Sequence, residues 1–136
     1  MNLRRFFETA IENTQFEALP IAEGELDYCN KSLIISSLLL QRLAQEAFFR
    51  TSHFFTKSHI SQLIALRDAS HNSYDTFVLE SCIKNARIAS KGVLPLCQDT
   101  GTAQIIACKD EGVLTRADDY LALSAGIERA WSEGYL

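Results

Sequence analysis

The sequence predicts a mainly helical α+β domain, with a small β-hairpin near its carboxy-terminal third. Two observations support this prediction: apolar residues recur at helical spacing in several long segments, and only one late segment is short, apolar and compatible with a β-strand. The length of 136 residues fits a single domain, residues 1–136, with one hydrophobic core. We therefore expect a helical domain into which one small β element is inserted.

The first half of the chain predicts helices that are separated by clear breaks. Helical spacing of apolar residues predicts a short helix within residues 3–17, a longer amphipathic helix over residues 32–50, and another helix over residues 57–67. The polar residues 68–73 follow the third of these and are typical of a turn.

A further helix is predicted over residues 74–90. Asn72 or Ser73 is expected to cap its first amides, and Gly92 is expected to end it. Its apolar stripe, which we expect to be buried, consists of Phe77, Val78, Cys82, Ala86 and Ala89. This helix leads directly into the most unusual segment of the chain.

The last third of the chain predicts a hairpin followed by a helix. Residues 103–108 form a short apolar run, residues 109–112 are typical of a turn, and residues 113–115 resemble a second strand. Asp118 and Asp119 then precede a final helix, where amide capping and the helix dipole explain their presence.

The composition is that of an ordinary globular protein and excludes several classes of function. Apolar residues make up 47% and charged residues 22% of the chain, and the net charge is −4. Because Lys and Arg are not clustered, we expect no nucleic-acid partner. The longest apolar run, residues 33–40, is far shorter than the ~20 residues of a membrane helix. Since residues 1–7 are not followed by the apolar core of a secretory signal, we expect a cytoplasmic protein with no membrane partner.

Aromatic residues and histidines have ordinary explanations at this stage. Four phenylalanines within residues 48–55 are expected to pack in the core or against another domain. His53, His59 and His71 lie near predicted helix ends and do not have the spacing of metal ligands, so we expect them at the surface.

Residues 92–103 concentrate reactive side chains between a helix and the predicted hairpin. They read Gly-Val-Leu-Pro-Leu-Cys-Gln-Asp-Thr-Gly-Thr-Ala and so combine a thiol, an amide, a carboxylate and hydroxyls. Cys97 is a candidate ligand for iron or zinc, and Asp99 is a candidate acid–base group. A structural loop remains the alternative interpretation of these residues.

The same segment resembles the motif Leu-Pro-x-Cys-Gln-Asp-Thr-Gly-Thr-Ala of class I fumarate hydratases and the related tartrate dehydratases. The resemblance covers residues 31–136, including the helix end at residues 85–92, and leaves residues 1–30 as a poorly matched leader. It implies the amino-terminal part of an iron–sulfur hydro-lyase that interconverts fumarate and L-malate without redox change.

The resemblance also implies a role for five residues of the motif. Cys97 matches the first of three cysteines that hold a four-iron, four-sulfur cluster, in which one iron without a protein ligand acts as a Lewis acid. Gln98, Asp99, Thr100 and Gly101 match residues around the dicarboxylate substrate. Among them Asp99 is the expected catalytic residue.

The rest of the active site is expected to lie outside this chain. Cys29, Cys82 and Cys108 do not match the other two ligand positions of the family. The resemblance therefore implies that the cluster is shared with cysteines outside this chain and that the chain is inactive alone. It also implies a partner, either a carboxy-terminal catalytic domain or a β subunit, and a complete enzyme that is a homodimer.

Three alternatives remain open from the sequence. Residues 104–112 depart from the family's usual glycine and lysine arrangement, so the substrate is less well defined than the cluster. Tartrate or another hydroxy-dicarboxylate is an alternative substrate, because the motif does not specify the substituent at the far carbon. The chain is otherwise a non-catalytic helical interaction domain that keeps the motif as a structural loop. The third alternative is a small zinc protein that uses Cys97 and Cys108.

Overall fold

The computed structural model describes residues 18–97 and 102–134. In chain order the elements are β1 (Leu26–Cys29), β2 (Ser32–Ile35), α1 (Ser37–His53), α2 (Lys57–Ala69), α3 (Ser73–Ala89), β3 (Val113–Thr115) and α4 (Asp119–Gly134). Four helices and one three-stranded sheet in this part confirm the predicted mainly helical α+β class. None of the helices in the described ranges is long and apolar enough to cross a membrane. The helix predicted within residues 3–17 lies outside the described residues.

The hairpin of the sheet lies in the amino-terminal part of the described residues, and the prediction of a hairpin near the carboxy-terminal third was wrong. β1 and β2 pair antiparallel, with Leu26 opposite Ile35. They are joined by Asn30 and Lys31, which have φ values of 49° and 66°. Two successive residues with positive φ form a turn whose twist matches that of the paired strands, and asparagine tolerates this conformation well.

The helix predicted over residues 32–50 begins five residues later than expected, since residues 32–35 form β2 and α1 starts at Ser37. Ser36 has extended backbone, and its hydroxyl accepts a hydrogen bond from the amide of Leu39 at 3.0 Å. This is the arrangement of a helix N-cap, which satisfies one of the first free amides. The strand was missed because the apolar residues of 32–35 also fit the helical spacing of the residues that follow.

The third strand pairs with β2 rather than with the apolar run at residues 103–108. β2 and β3 are parallel, with Leu33 opposite Val113, and the Leu33 amide donates to the carbonyl of Gly112 at 2.7 Å. Residues 103–108 form no strand and are mostly exposed. The pairing of β2 with β3 was missed because three helices separate the two strands in the chain, and the sequence analysis compared only neighbouring segments.

Helices α1 and α4 make the most extensive helix–helix contact and contain most of the core. At their crossing, a Cβ atom on Gly126 would lie 2.3 Å from the carbonyl oxygen of Gln41 and 2.7 Å from the Cβ of Ala44. Only glycine permits so close an approach of two backbones. The buried apolar residues of these two helices are Leu39, Ala44, Ala122, Ile127 and Ala130.

Helices α2 and α3 pack against each other but bury little apolar surface. α2 contains no buried residue, and α3 buries only Ala86 and Ala89. Phe77, Val78 and Cys82 were predicted to be buried, but they are exposed, Phe77 by 67%. The prediction failed for these three residues because another side of α3, with Thr76, Leu79 and Ile83, is the half-buried one.

Glu25 connects the beginning of the sheet to α1. Its carboxylate is buried and accepts hydrogen bonds from Arg42 Nη1 at 2.7 and 2.8 Å and from the amide of Ala22 at 2.7 Å. These bonds favour the ionised carboxylate and hold the pKa of Glu25 below its usual value, the Ala22 amide being the largest cause. The contact fixes the chain that enters β1 against the first turns of α1.

Candidate functional site

The predicted motif follows α3 through a short connector, residues 90–97, which ends at Cys97. Gly92 has a φ of 71°, and its amide donates to the carbonyl of Ala89 at 2.8 Å, which ends the helix as predicted. A Cβ atom on Gly92 would lie 3.3 Å from Cζ of Phe49. The connector therefore crosses directly over an aromatic ring of α1 as it leaves α3.

Leu96, the residue before Cys97, is held by two helices at once. Its amide donates to the carbonyl of Ser52 in α1 at 2.8 Å, and its carbonyl accepts from Asn85 Nδ2 in α3 at 2.7 Å. Ser52 lies in the last turn of α1, where carbonyl groups lack partners within the helix. We call this pair of bonds the Leu96 clamp. The Leu96 clamp holds the residue before the thiol at both its backbone amide and its backbone carbonyl.

A cleft of about 290 Å³ lies between the end of α1 and the connector. It is lined by Phe48, Thr51, Ser52, Phe55, Leu96, Cys97 and Thr102. Aromatic rings therefore meet hydroxyl groups and one thiol in the same cleft. Because Cys97 and Thr102 flank residues 98–101, both ends of the motif's central segment lie at this cleft.

Cys97 is the one predicted site residue that lies within the described ranges, and it is exposed. The other four are Gln98, Asp99, Thr100 and Gly101. They lie outside the described residues, so their proposed roles stay predictions.

Cys97 is the one cysteine of the described residues that lines the cleft. Cys29 lies in β1, Cys82 lies in α3, and Cys108 lies in the segment that follows the motif. In the part of the chain that the structure describes, no group of three His, Cys, Asp or Glu side chains is arranged to hold a metal ion. A thiol at a cleft is chemically suited to be one ligand of a metal centre.

His53 is a buried polar residue that sequence reasoning missed. It was expected at the surface, but it is fully buried and stacks on Phe49 at a ring-centroid distance of 4.2 Å. Its Nδ1 lies 2.8 Å from the carbonyl of Phe49, which can only accept, so Nδ1 carries the proton. Nε2 is buried without a hydrogen-bond partner among the described residues. The available signal was the aromatic residue four positions earlier on the same helix face.

The aspartates at the start of α4, Asp118 and Asp119, have structural roles, as predicted. Asp118 accepts a hydrogen bond from the amide of Leu121 at 3.1 Å and so caps the helix. Lys109 and Thr115 both donate hydrogen bonds to the carboxylate of Asp119. These two bonds hold the pKa of Asp119 below its usual value, Lys109 being the larger cause.

Known proteins are similar to this chain over a region that includes the motif. The family model of fumarate hydratase (Fumerase) matches residues 41–136. The anaerobic class I fumarate hydratase of Escherichia coli (strain K12) is 40% identical over 98 residues, which are 71% of this chain and 18% of that protein. The aerobic class I enzyme of the same strain is 39% identical over 98 residues, again 71% of this chain and 18% of the relative. Fumarate hydratase 2 of Leishmania major is 37% identical over 102 residues, 74% of this chain and 18% of that protein. The chain therefore matches only about 18% of the length of these relatives.

Proposed function

Because the chain belongs to the class I fumarate hydratase (Fumerase) family, we propose that it is the amino-terminal part of a hydro-lyase that adds water reversibly to fumarate to form L-malate. The observation that carries this proposal is the position of Cys97, exposed at a cleft and preceded by a residue that two helices hold. A reactive group needs such support from rigid elements to reach a defined position.

In this proposal Cys97 is one ligand of a four-iron, four-sulfur cluster that is shared with cysteines outside this chain. The thiol of Cys97 fits this role because it lines a cleft of about 290 Å³ together with aromatic and hydroxyl side chains. When bound, the cluster supplies a Lewis-acidic iron for the oxygen atoms of the substrate. The chain's own contribution is to hold one side of that group at the cleft.

We assign Gln98, Asp99, Thr100 and Gly101 to the substrate because of their place in the motif. Asp99 is the proposed catalytic residue, and its carboxylate accepts a hydrogen bond from the substrate hydroxyl. The side chains of Gln98 and Thr100 are hydrogen-bond donors for a substrate carboxylate, and Gly101 allows the backbone to approach it closely. The presence of both flanking residues at one cleft supports this assignment.

We further propose that α2 and α3 are covered by a carboxy-terminal catalytic domain or a β subunit. Leu66 is 59% and Phe77 is 67% exposed, and a groove between the two helices has Tyr74 and Val78 in its wall. Large contiguous apolar patches are rare on the surface of a protein that has no partner. The homodimer and the cytoplasmic location stay predictions.

The test is anaerobic hydration of fumarate by this chain combined with the carboxy-terminal part of a class I fumarate hydratase, after reconstitution with iron and sulfide. Cys97→Ser is prepared in parallel, and Cys108→Ser serves as the control for loss of an exposed thiol. We expect turnover and bound iron in the parent and in Cys108→Ser, and neither in Cys97→Ser. Equal iron content and equal turnover in the two variants would contradict the assignment of Cys97.

Two alternatives are separated by further measurements. Tartrate or another hydroxy-dicarboxylate is the alternative substrate, because the motif does not specify the substituent at the far carbon of the substrate, and rates on fumarate, mesaconate and tartrate distinguish these. The exposed apolar face of α2 and α3 also suits a non-catalytic interaction domain. That alternative requires that no iron is taken up even when the partner is present.

A further inference from the structure

We propose that Asn85 is a positioning residue for Cys97. The inference rests on the proposed function, because it concerns the cysteine that we assign as a cluster ligand. It goes further by assigning a role to a residue that lies outside the motif and contacts it through the Leu96 clamp.

The argument begins with the peptide group that joins Leu96 to Cys97. Asn85 Nδ2 donates to the carbonyl oxygen of Leu96 at 2.7 Å. That carbonyl belongs to the same planar unit as the amide of Cys97, so a bond that fixes the oxygen also orients the plane. The direction in which Cys97 leaves the connector therefore depends on the side-chain amide of Asn85.

Asn85 is placed on the best-supported part of its helix. The buried residues of α3 are Ala86 and Ala89, with 7% and 0% exposure, and both follow Asn85 in the carboxy-terminal part of the helix. The other half of the Leu96 clamp is the backbone carbonyl of Ser52, which side-chain substitution leaves in place. Asn85 is thus the part of the clamp that a substitution can remove.

The chemistry of the bond requires a donor at this position. A carbonyl oxygen only accepts, so an aspartate of the same size as Asn85 has nothing to donate to it. A glutamine keeps the amide donor on a side chain that is one carbon longer. The bond lies in an exposed region, so its loss should change the local geometry far more than the stability of the whole chain.

The first experiment measures local opening of the connector in the chain itself. Amide hydrogen exchange is followed at Leu96, and alkylation of Cys97 by iodoacetamide is followed by mass spectrometry, with Cys108 as the internal reference. We expect Asn85→Ala and Asn85→Asp each to raise the rate of Leu96 exchange about fivefold, as for the loss of one hydrogen bond of ordinary strength, and to change the alkylation rate of Cys97 but not that of Cys108. Asn85→Gln should return them toward the parent values.

The matched control is Gln45→Ala, which removes another exposed amide hydrogen bond, from Gln45 Nε2 to Glu133 at 2.9 Å. It should leave the exchange of Leu96 and the alkylation of Cys97 unchanged. The proposal is overturned if Asn85→Ala behaves like Gln45→Ala, or if Asn85→Gln is no closer to the parent than Asn85→Asp. An equal increase at Cys108 would also overturn it, because that result indicates general loosening.

Bound iron distinguishes a failure of this inference from a failure of the proposed function. If Cys97→Ser leaves the iron content of the reconstituted enzyme unchanged, the proposed function is wrong, whatever happens to Leu96 exchange. If Cys97→Ser abolishes iron binding while Asn85→Ala leaves Leu96 exchange and Cys97 alkylation at parent values, only the role of Asn85 is wrong.

Discussion

The two helix pairs of this chain differ sharply in how much they bury. Helices α1 and α4 cross at Gly126, where no side chain fits, and together they contain most of the buried apolar residues. In the pair α2–α3, by contrast, one helix buries nothing, and the other buries two alanines at its end. A hydrophobic core of this kind stabilises the first pair within the chain, whereas the second pair leaves several large apolar residues exposed.

This difference shows where the motif obtains its support. The Leu96 clamp takes one bond from α1 and one from α3, so it joins the well-packed pair to the poorly packed one. The hydrogen bond to α1 is therefore attached to a rigid helix pair, whereas the hydrogen bond to α3 depends on how firmly α2 and α3 are packed. A partner that covers α2 and α3 should therefore restrict the position of Cys97 and also bury apolar surface.

The largest expected effect tests the close approach in the first pair. Gly126→Ala should lower the free energy of unfolding by about 3 kcal/mol, because a methyl group there collides with the backbone of α1. Urea denaturation measures the loss. Gly112→Ala is the control, since its nearest neighbour is at 3.8 Å, and it should change stability by less than about 0.5 kcal/mol. Similar losses in both variants would contradict the tight crossing.

A smaller, pH-dependent effect is expected at Glu25, which fastens the sheet to α1. Because its pKa is lowered on folding, its contribution is complete above the ordinary glutamate pKa of about 4.3 and declines as the pH falls through the lowered value. The melting temperature of Glu25→Gln should therefore lie furthest below that of the parent near neutral pH, and the gap should close in acid. Glu23→Gln, at an exposed position, should show no such pH-dependent gap. A gap for Glu25→Gln that does not depend on pH would contradict the proposed role of the charge.

The N-caps of α1 and α2 test whether the two helix pairs unfold separately. Ser36 caps α1 and Thr56 caps α2, accepting amide hydrogen bonds at 3.0 and 3.3 Å. Either substitution by alanine should cost about 1 kcal/mol in its helix. For Ser36→Ala the loss should appear in global urea unfolding, whereas for Thr56→Ala it should appear as faster amide exchange confined to α2 and α3. Equal global losses would mean that the two pairs unfold as one unit.

The smallest effect is expected for the exposed apolar face of the second pair. Phe77→Ala should change the stability of the chain alone by less than about 0.5 kcal/mol, because the ring is already in water. Leu39→Ala, at a buried position of α1, is the contrasting control and should cost about 3 kcal/mol. In a binding measurement with the carboxy-terminal part of a relative, Phe77→Ala should weaken association. Unchanged binding would argue against this face as the docking surface.

Local signals predicted much of the helical structure, whereas contacts between distant segments were not predicted. The cap of α3 at Asn72 and the stop signal at Gly92, just after the helix, depend on neighbouring residues, and both predictions were correct. The parallel pairing of β2 with β3 and the burial of His53 depend on residues far apart or on packing, and both were missed.

For the site, the order of residue types identified the motif and its cysteine. The supports of that cysteine, Ser52 and Asn85, were not predicted, since neither belongs to the motif and one of them acts through its backbone. The family resemblance supplied the chemistry, and the structure supplied the neighbours that hold Cys97.

The parallel pairing of β2 with β3 has a consequence for the order of folding. Leu33 and Val113 are about eighty residues apart, and bringing such distant segments together costs loop entropy before the contact stabilises anything. We therefore expect this ladder to form late, after the helices between the two strands. The Leu96 clamp joins two helices that lie inside the loop that the ladder closes, so a newly made chain should position Cys97 before these two strands pair.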